Sequence, residues 1–215
     1  IGIEQAKGAY LYFLDSDDYI AENMLQLLHD SIGEFPMIRG RMKTTDFSTS
    51  SVIILPGTNK IKMYSNRRYN LLRSESAINY LISKNFIDNM NLRFSEQFKT
   101  YSDLTFMVPL MEEIDIVPYA EEAIYFRRRG NDPINNPTLR QSSLEQLTPD
   151  LFGVYNQLRS DNMSEEGRKY LDDKLLNFYR KRLVTEFRDD TTIDYYFSGL
   201  VESINKIDPD RLKNK

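Results

Sequence analysis

With 215 residues and 40% hydrophobic content, the chain can bury one good core, or one core beside a small helical domain. Lys and Arg number 28 against 32 Asp and Glu, a net charge of −4, which leaves no general nucleic-acid footprint. Cysteine is absent, which excludes a disulfide scaffold, thiol catalysis and cysteine–zinc sites and fits a reducing cytoplasm. No stretch approaches the roughly 20 apolar residues that span a bilayer, and no signal peptide is visible.

Residues 1–8 read as the end of a helix closed by Gly8, a residue type common just past a helix. The apolar run Tyr10-Leu11-Tyr12-Phe13-Leu14 is long enough for one buried strand and too short for a helix. Directly after it come Asp15-Ser16-Asp17-Asp18. Carboxylates crowded at the carboxyl end of a strand occupy the place where open α/β sheets bind ligands. Hard oxygen ligands on one short turn suit Mg²⁺ or Mn²⁺ carrying a phosphate. A plainer reading makes this a strand–turn–helix junction with Asp17 or Asp18 as the N-cap. Residues 21–32 then show a helical pattern through Met24, Leu25, Leu27, Leu28 and Ile32.

Further along, residues 37–45 and 51–55 read as strands around a polar turn at 48–50, and residues 61–64 as a further short strand. Residues 74–84 read as a helix, with Ser74 as N-cap and Ala77, Ile78, Leu81 and Ile82 on one face. A second helix is expected over 102–113, an extended segment over 114–128, and a loop over 131–137, where two prolines and three asparagines cluster. Beyond it the pattern is helical only, over 143–160, 164–188 and 191–206, with a break at 189–192. This last region is most simply a packing or interface module.

Two other groups of residues carry chemistry. Asp103 stands at the start of its helix, where a carboxylate is normally a cap or a dipole partner. Arg127-Arg128-Arg129 end an apolar strand; they either guard a sheet edge or clamp phosphate, which guanidinium binds bidentately.

The block from Gly2 to Ile20, GIEQAKGAYLYFLDSDDYI, resembles the family-2 inverting glycosyltransferases of GT-A fold nearly word for word. That resemblance implies an α/β fold: residues 1–141 as the downstream part of a GT-A domain with a Rossmann-like mixed sheet, and residues 142–215 as an all-α region. In the family this block follows a nucleotide-binding half. Here the chain begins inside a helix without an initiator Met, so the resemblance implies a piece of a longer polypeptide, inactive alone. It also makes Asp15, Asp17 and Asp18 metal ligands for Mn²⁺ or Mg²⁺, with Asp15 and Asp17 holding a UDP-sugar through that metal. A phosphate clamp of Arg127, Arg128 and Arg129 would serve the donor diphosphate or, as expected here, the phosphates of a polyanionic acceptor.

The segment from Asn91 to Glu96, followed by Tyr101-Ser102-Asp103-Leu104, is similar to the family's acceptor side, and the general base carries over onto Asp103. An acidic pair is commoner there than Ser102-Asp103, but serine cannot accept the proton at neutral pH. Many relatives place a metal-binding histidine just past the arginine strand. The single histidine here is His29, far upstream, so either Asn131 or Asp132 substitutes for it or the metal relies on the Asp15–Asp18 turn and phosphates.

RRRGNDPINNPTLRQ, residues 127–141, resembles the glycosyltransferase portions of Gram-positive wall-polymer enzymes, including those fused to a CDP-glycerol glycerophosphotransferase. The expected reaction moves a hexosyl or N-acetylhexosaminyl group from a UDP-sugar to a polyanionic wall polymer such as a teichoic acid, in the cytoplasm or at the inner face of the membrane. Nucleic acid is not an expected partner; peripheral membrane association through the rest of the polypeptide and a homo-oligomer stay open. So do a capsule or exopolysaccharide glycosyltransferase, and a non-catalytic module that positions polymer for a fused transferase.

Overall fold

A computed structural model of the chain describes residues 1–46, 61–64, 69, 76–129, 143–183, 190–209 and 212. Contacts group the chain into two compact units, Ile1–Phe94 with Glu113–Asn136, and Ser95–Glu112 with Pro137–Lys215. Residues 95–112 thus cluster with the helices that follow them, ahead of the composition change near residue 141. The expected strand at 51–55, the turn at 48–50 and the loop at 131–137 lie outside the described residues, as do Asn131 and Asp132.

The first unit is built on a mixed sheet. Its strands are β1 (Tyr10–Tyr12), β2 (Tyr19–Ile20), β3 (Met37–Asp46), β4 (Ile61–Tyr64), β5 (Tyr80–Ser83) and β6 (Val117–Arg129). They lie in the order β1-β5-β3-β6-β2, with β4 also on β6. β3 and β6 run parallel, and every other described pairing is antiparallel.

One face of the sheet is covered by α2 (Met24–Ile32). Met24, Leu28 and Ile32 recur every fourth residue and are 0%, 0% and 2% exposed, packed with Ile38, Leu81, Ala123 and Tyr125. This spacing puts all three on one helical face. Gly33 ends α2 at φ 55, a left-handed value that glycine adopts without Cβ strain. Where β3 meets β6 the register shifts between Gly40 and Arg41. A Cβ on Gly40 would stand 2.5 Å from the Ala123 carbonyl oxygen, so no other residue fits beneath that bulge.

Two expectations fail here. Helix α1 spans Gly2–Gln5 and closes at Ala6 in extended conformation, so Gly8 is not its cap. The helix expected over 74–84 is instead β5 followed by α3 (Lys84–Asn89). Ala77, Ile78, Asn79, Tyr80, Leu81 and Ile82 are all buried, with no polar face for a helix to keep. Asn79 sits at φ 68 and donates its side-chain amide to the Gly40 carbonyl at 2.7 Å, turning the chain into the ladder. Ser83 then caps α3 by accepting from the Phe86 amide.

The second unit holds α4 (Ser102–Glu112), α5 (Leu144–Leu158), α6 (Glu165–Phe178), a single π-helical turn at Tyr179–Leu183, and α7 (Asp190–Ile204). Helix α4 buries Leu104, Phe106, Met107, Val108, Leu110 and Met111, faces that together go all the way round, as in a helix at the centre of a bundle. Glu112, at its end, accepts from both the amide and the hydroxyl of Ser164, the residue that caps α6. Between α5 and α6, Asp172 accepts from Tyr155 Oη and Arg159 Nε, each at 2.9 Å. No helix among the described residues is long and apolar enough to cross a membrane.

Candidate functional site

β1 and β2 are joined by Phe13 to Asp18, and the acidic turn lies at the end of β1 beside the last residues of β6. The Phe13 ring packs edge-on against Phe94 at 5.3 Å, which holds the chain as it leaves the strand. The turn closes on itself through the Asp18 amide, which donates to the Asp15 carbonyl at 3.1 Å. Carboxylate oxygens of Asp15, Asp17 and Asp18 then lie within 4.8 Å of one another.

None of the three is an N-cap. Helix α2 begins after Asn23, and Asp18 spends its oxygens elsewhere. Oδ2 accepts from Tyr125 Oη at 2.6 Å and Oδ1 accepts from the Arg128 amide at 2.7 Å, both from β6. The Tyr125 hydroxyl also accepts from the Asp15 amide at 3.3 Å. One buried tyrosine thus holds both ends of the turn.

The electrostatics follow from this crowding. Partial desolvation and the neighbouring Asp18 carboxylate push Asp15 above the usual carboxylate range, Asp17 adds to that, and the Arg127 guanidinium pulls the other way. Burial and the hydrogen bond to Asp18 hold the Tyr125 phenol far above its ordinary value. Like charges held this close are relieved by a cation, and an all-oxygen donor set fits a hard one such as Mg²⁺ or Mn²⁺.

The arginines are not equivalent. Arg127 is half-buried and its charge acts on Asp15. Arg128 is exposed, with its guanidinium over the Tyr19 ring at 5.0 Å from the centroid. Arg129 is described through its backbone pairing with Asp46. β6 lies between β3 and β2, but β2 pairs only with Tyr125 and Phe126. Among the described residues the three arginines are therefore paired with β3 alone, and guarding that edge and binding phosphate both remain open to them. His29 is exposed on α2, edge-on to Tyr10, and does not belong to the carboxylate group.

Asp103 belongs to the second unit, half-buried in the first turn of α4. The corner before it is tightly specified. Thr100 donates its amide and its hydroxyl to Asp150 Oδ2 at 2.6 and 2.9 Å. Tyr101 follows at φ 59, a conformation aromatic residues avoid unless their surroundings enforce it. The Leu104 amide then donates to the Tyr101 carbonyl at 2.9 Å, starting the helix.

Tyr125 is the residue that sequence reading missed. Its signal was available: a buried tyrosine must find a partner for its hydroxyl. What the sequence did not show was which face of β6 it would take.

No protein-family model matches the chain. A teichoic acid poly(glycerol phosphate) polymerase from Staphylococcus epidermidis is 22% identical over 182 residues, covering 82% of this chain and 25% of the polymerase. Among solved structures, residues 1–349 of S. aureus TarS in complex with UDP superimpose with a TM-score of 0.68 at 15% identity, covering 97% of this chain and 59% of that one. The complex of the same protein with UDP-GlcNAc gives 0.69 at 15% identity, with 96% and 60% covered. The chain thus spans a quarter of the polymerase and under two thirds of the TarS structures. At such identities the likeness establishes the fold, and the GT-A expectation for this mixed α/β chain holds.

Proposed function

We propose that the chain is part of an inverting glycosyltransferase that moves a sugar from a UDP-sugar to a phosphate-linked wall polymer of the teichoic-acid type. The observation that carries this reading is the turn of three carboxylates, held by β6 with Arg127 beside it. It is supported by the UDP and UDP-GlcNAc bound to the TarS neighbours, and by the product named for the S. epidermidis relative.

Asp15 and Asp17 would hold Mn²⁺ or Mg²⁺, with Asp18 as the third carboxylate of the group. When bound, the cation supplies Lewis-acid stabilisation of charge on the leaving diphosphate. Arg127, Arg128 and Arg129 contribute positive charge for phosphate, on the donor or along the acceptor polymer. Asp103 takes the proton from the acceptor hydroxyl as that oxygen attacks the anomeric carbon and the bond to the nucleotide breaks on the opposite face. General-base help of this kind is worth about 10²–10⁴-fold. Such a reaction would run in the cytoplasm or at the inner face of the membrane. Because the chain covers 59% of the matched TarS structure, the 215 residues alone are expected to be inactive.

A second reading is favoured by the match to one quarter of a polymerase: a module that positions polymer for a transferase elsewhere in the polypeptide. The test uses the longest polypeptide carrying this sequence. UDP-sugars are offered with poly(glycerol phosphate), poly(ribitol phosphate) or a neutral polysaccharide, with and without Asp103→Asn. Transfer to polyol phosphate that Asp103→Asn abolishes supports the enzyme. Transfer to the neutral acceptor alone moves the assignment to capsule or exopolysaccharide synthesis. Polymer binding without transfer supports the positioning module.

A further inference from the structure

We propose that Tyr125 is a positioning residue for the acidic turn and that it acts through Asp18, which is a brace and not a ligand to the cation. The inference rests on reading the turn as a metal site, and it divides labour among three aspartates that sequence alone leaves equivalent.

Tyr125 is fixed before it touches the turn. Its backbone is paired on one side with Met42 of β3 and on the other with Ile20 of β2, and the residue is fully buried. Its hydroxyl therefore reaches the turn from a strand position paired on both sides. It donates to Asp18 Oδ2 at 2.6 Å and accepts from the Asp15 amide at 3.3 Å. The Arg128 amide, three residues along the same strand, takes the other Asp18 oxygen at 2.7 Å.

Both oxygens of Asp18 thus already accept from β6, and the carboxylate cannot be reoriented without breaking one of these bonds. A hydrogen bond to a charged acceptor is stronger than one between neutral groups, so each is costly to break. The Asp15 and Asp17 carboxylates accept no hydrogen bond among the described residues and are left to turn toward a ligand. Residues behind the ligands of a metal site fix ligand orientation, and their loss typically costs about 10–100-fold in affinity.

The test compares Tyr125→Phe, Asp18→Asn and Asp17→Asn in the polypeptide carrying this sequence. Two quantities are read: Mn²⁺ affinity in the presence of UDP, by electron paramagnetic resonance, and amide hydrogen exchange at Asp15 and Arg128. Phe keeps the ring and removes only the hydroxyl. Tyr125→Phe is expected to weaken Mn²⁺ by about 10-fold or more and to speed exchange at both amides, while thermal unfolding stays close to that of the unaltered protein. Asp18→Asn should weaken Mn²⁺ to a similar degree, whereas Asp17→Asn should abolish binding.

Unaltered exchange in Tyr125→Phe would overturn the positioning role. Loss of Mn²⁺ in Asp18→Asn as complete as in Asp17→Asn would overturn the brace and make Asp18 a ligand. If the unaltered protein binds no Mn²⁺, the metal reading falls; faster exchange in Tyr125→Phe would still support Tyr125 as the residue that holds the turn, and unaltered exchange would overturn it.

Discussion

The Arg128 amide donates to Asp18 Oδ1 at 2.7 Å while the Arg128 guanidinium lies over Tyr19, 5.0 Å from the ring centroid. One residue therefore secures the acidic turn with its backbone while its guanidinium stacks over Tyr19. Tyr19 in turn stacks on Phe126 at 4.7 Å, so the cation rests on an aromatic pair. The arginines of the run are thus placed differently: Arg127 is half-buried with its charge acting on Asp15, and Arg128 is exposed over Tyr19.

That separation gives the first prediction. Arg127 acts on Asp15, so Arg127→Gln is expected to weaken UDP-sugar binding with short and long acceptors alike. Arg128 is exposed, so Arg128→Gln is expected to raise the KM for a polyol-phosphate acceptor and leave donor affinity nearly unchanged. Added salt should mimic the second change more than the first, since exposed charges are screened over about 8–10 Å at physiological ionic strength. Steady-state kinetics over a salt series check both.

Metal dependence is the next. Asp17→Ala is expected to abolish transfer and Mn²⁺-dependent UDP binding while circular dichroism and thermal unfolding stay nearly unchanged. A carboxylate on a solvated turn adds little to the core. Full activity in EDTA would remove the metal from the mechanism.

Asp103→Asn is expected to lower kcat by about 10²–10⁴-fold with a much smaller effect on KM for either substrate. Asparagine keeps the size of the side chain and its place in the first turn of α4, and thermal unfolding of the variant checks that the fold is retained. Equal loss in kcat/KM and substrate affinity would make Asp103 a structural residue.

Much of the site was legible because its signals are local. An apolar run followed at once by Asp15, Asp17 and Asp18 reads as strand then turn whatever surrounds it, and the amphipathic pattern of α2 needs no partner to be seen. The segment from Ala77 to Ile82 was not legible for a physical reason. Its apolar residues fit one helical face, yet every one of them is buried, and Leu81 and Ile82 stand in a strand paired with both β1 and β3, which only tertiary pairing reveals. Tyr125 was hidden in the same way, since its role depends on a turn 107 residues away along the chain.

Stability of the second unit should depend on Asp172. The residue is 1% exposed and accepts from Arg159 Nε and Tyr155 Oη, both at 2.9 Å. Arg159 keeps further bonds to the carbonyls of Ser160 and Lys206, so it stays in place when its carboxylate is removed. Asp172→Ala leaves that buried guanidinium with only the exposed Asp161 carboxylate, 3.9 Å away, as counter-charge and is expected to cost about 3 kcal/mol in urea unfolding. Arg159→Met with Asp172→Leu together should recover much of the loss, because two apolar groups need no counter-charge.

The last prediction concerns pH. Burial lowers the Lys174 ammonium on α6 from 10.5 to about 7, and its charged form lies 5.8 Å from the Tyr170 ring. Above pH 7 the folded chain gives up this proton while the unfolded chain still holds it, up to about 10.4. Stability rises with pH wherever the unfolded state binds more protons. Lys174 therefore makes the fold more stable at alkaline pH than at neutral, and its full cost is felt below pH 7, where the amine is charged in both states. The buried tyrosines act in the opposite sense. Their raised values hold protons that the unfolded chain loses near pH 10, so they lower stability only above that range. The window between about pH 7 and 9 consequently isolates the lysine. Urea midpoints are expected to climb across it in the unaltered chain, while Lys174→Met should be flat there and more stable at pH 7. An unchanged slope in the variant would place the titrating group elsewhere.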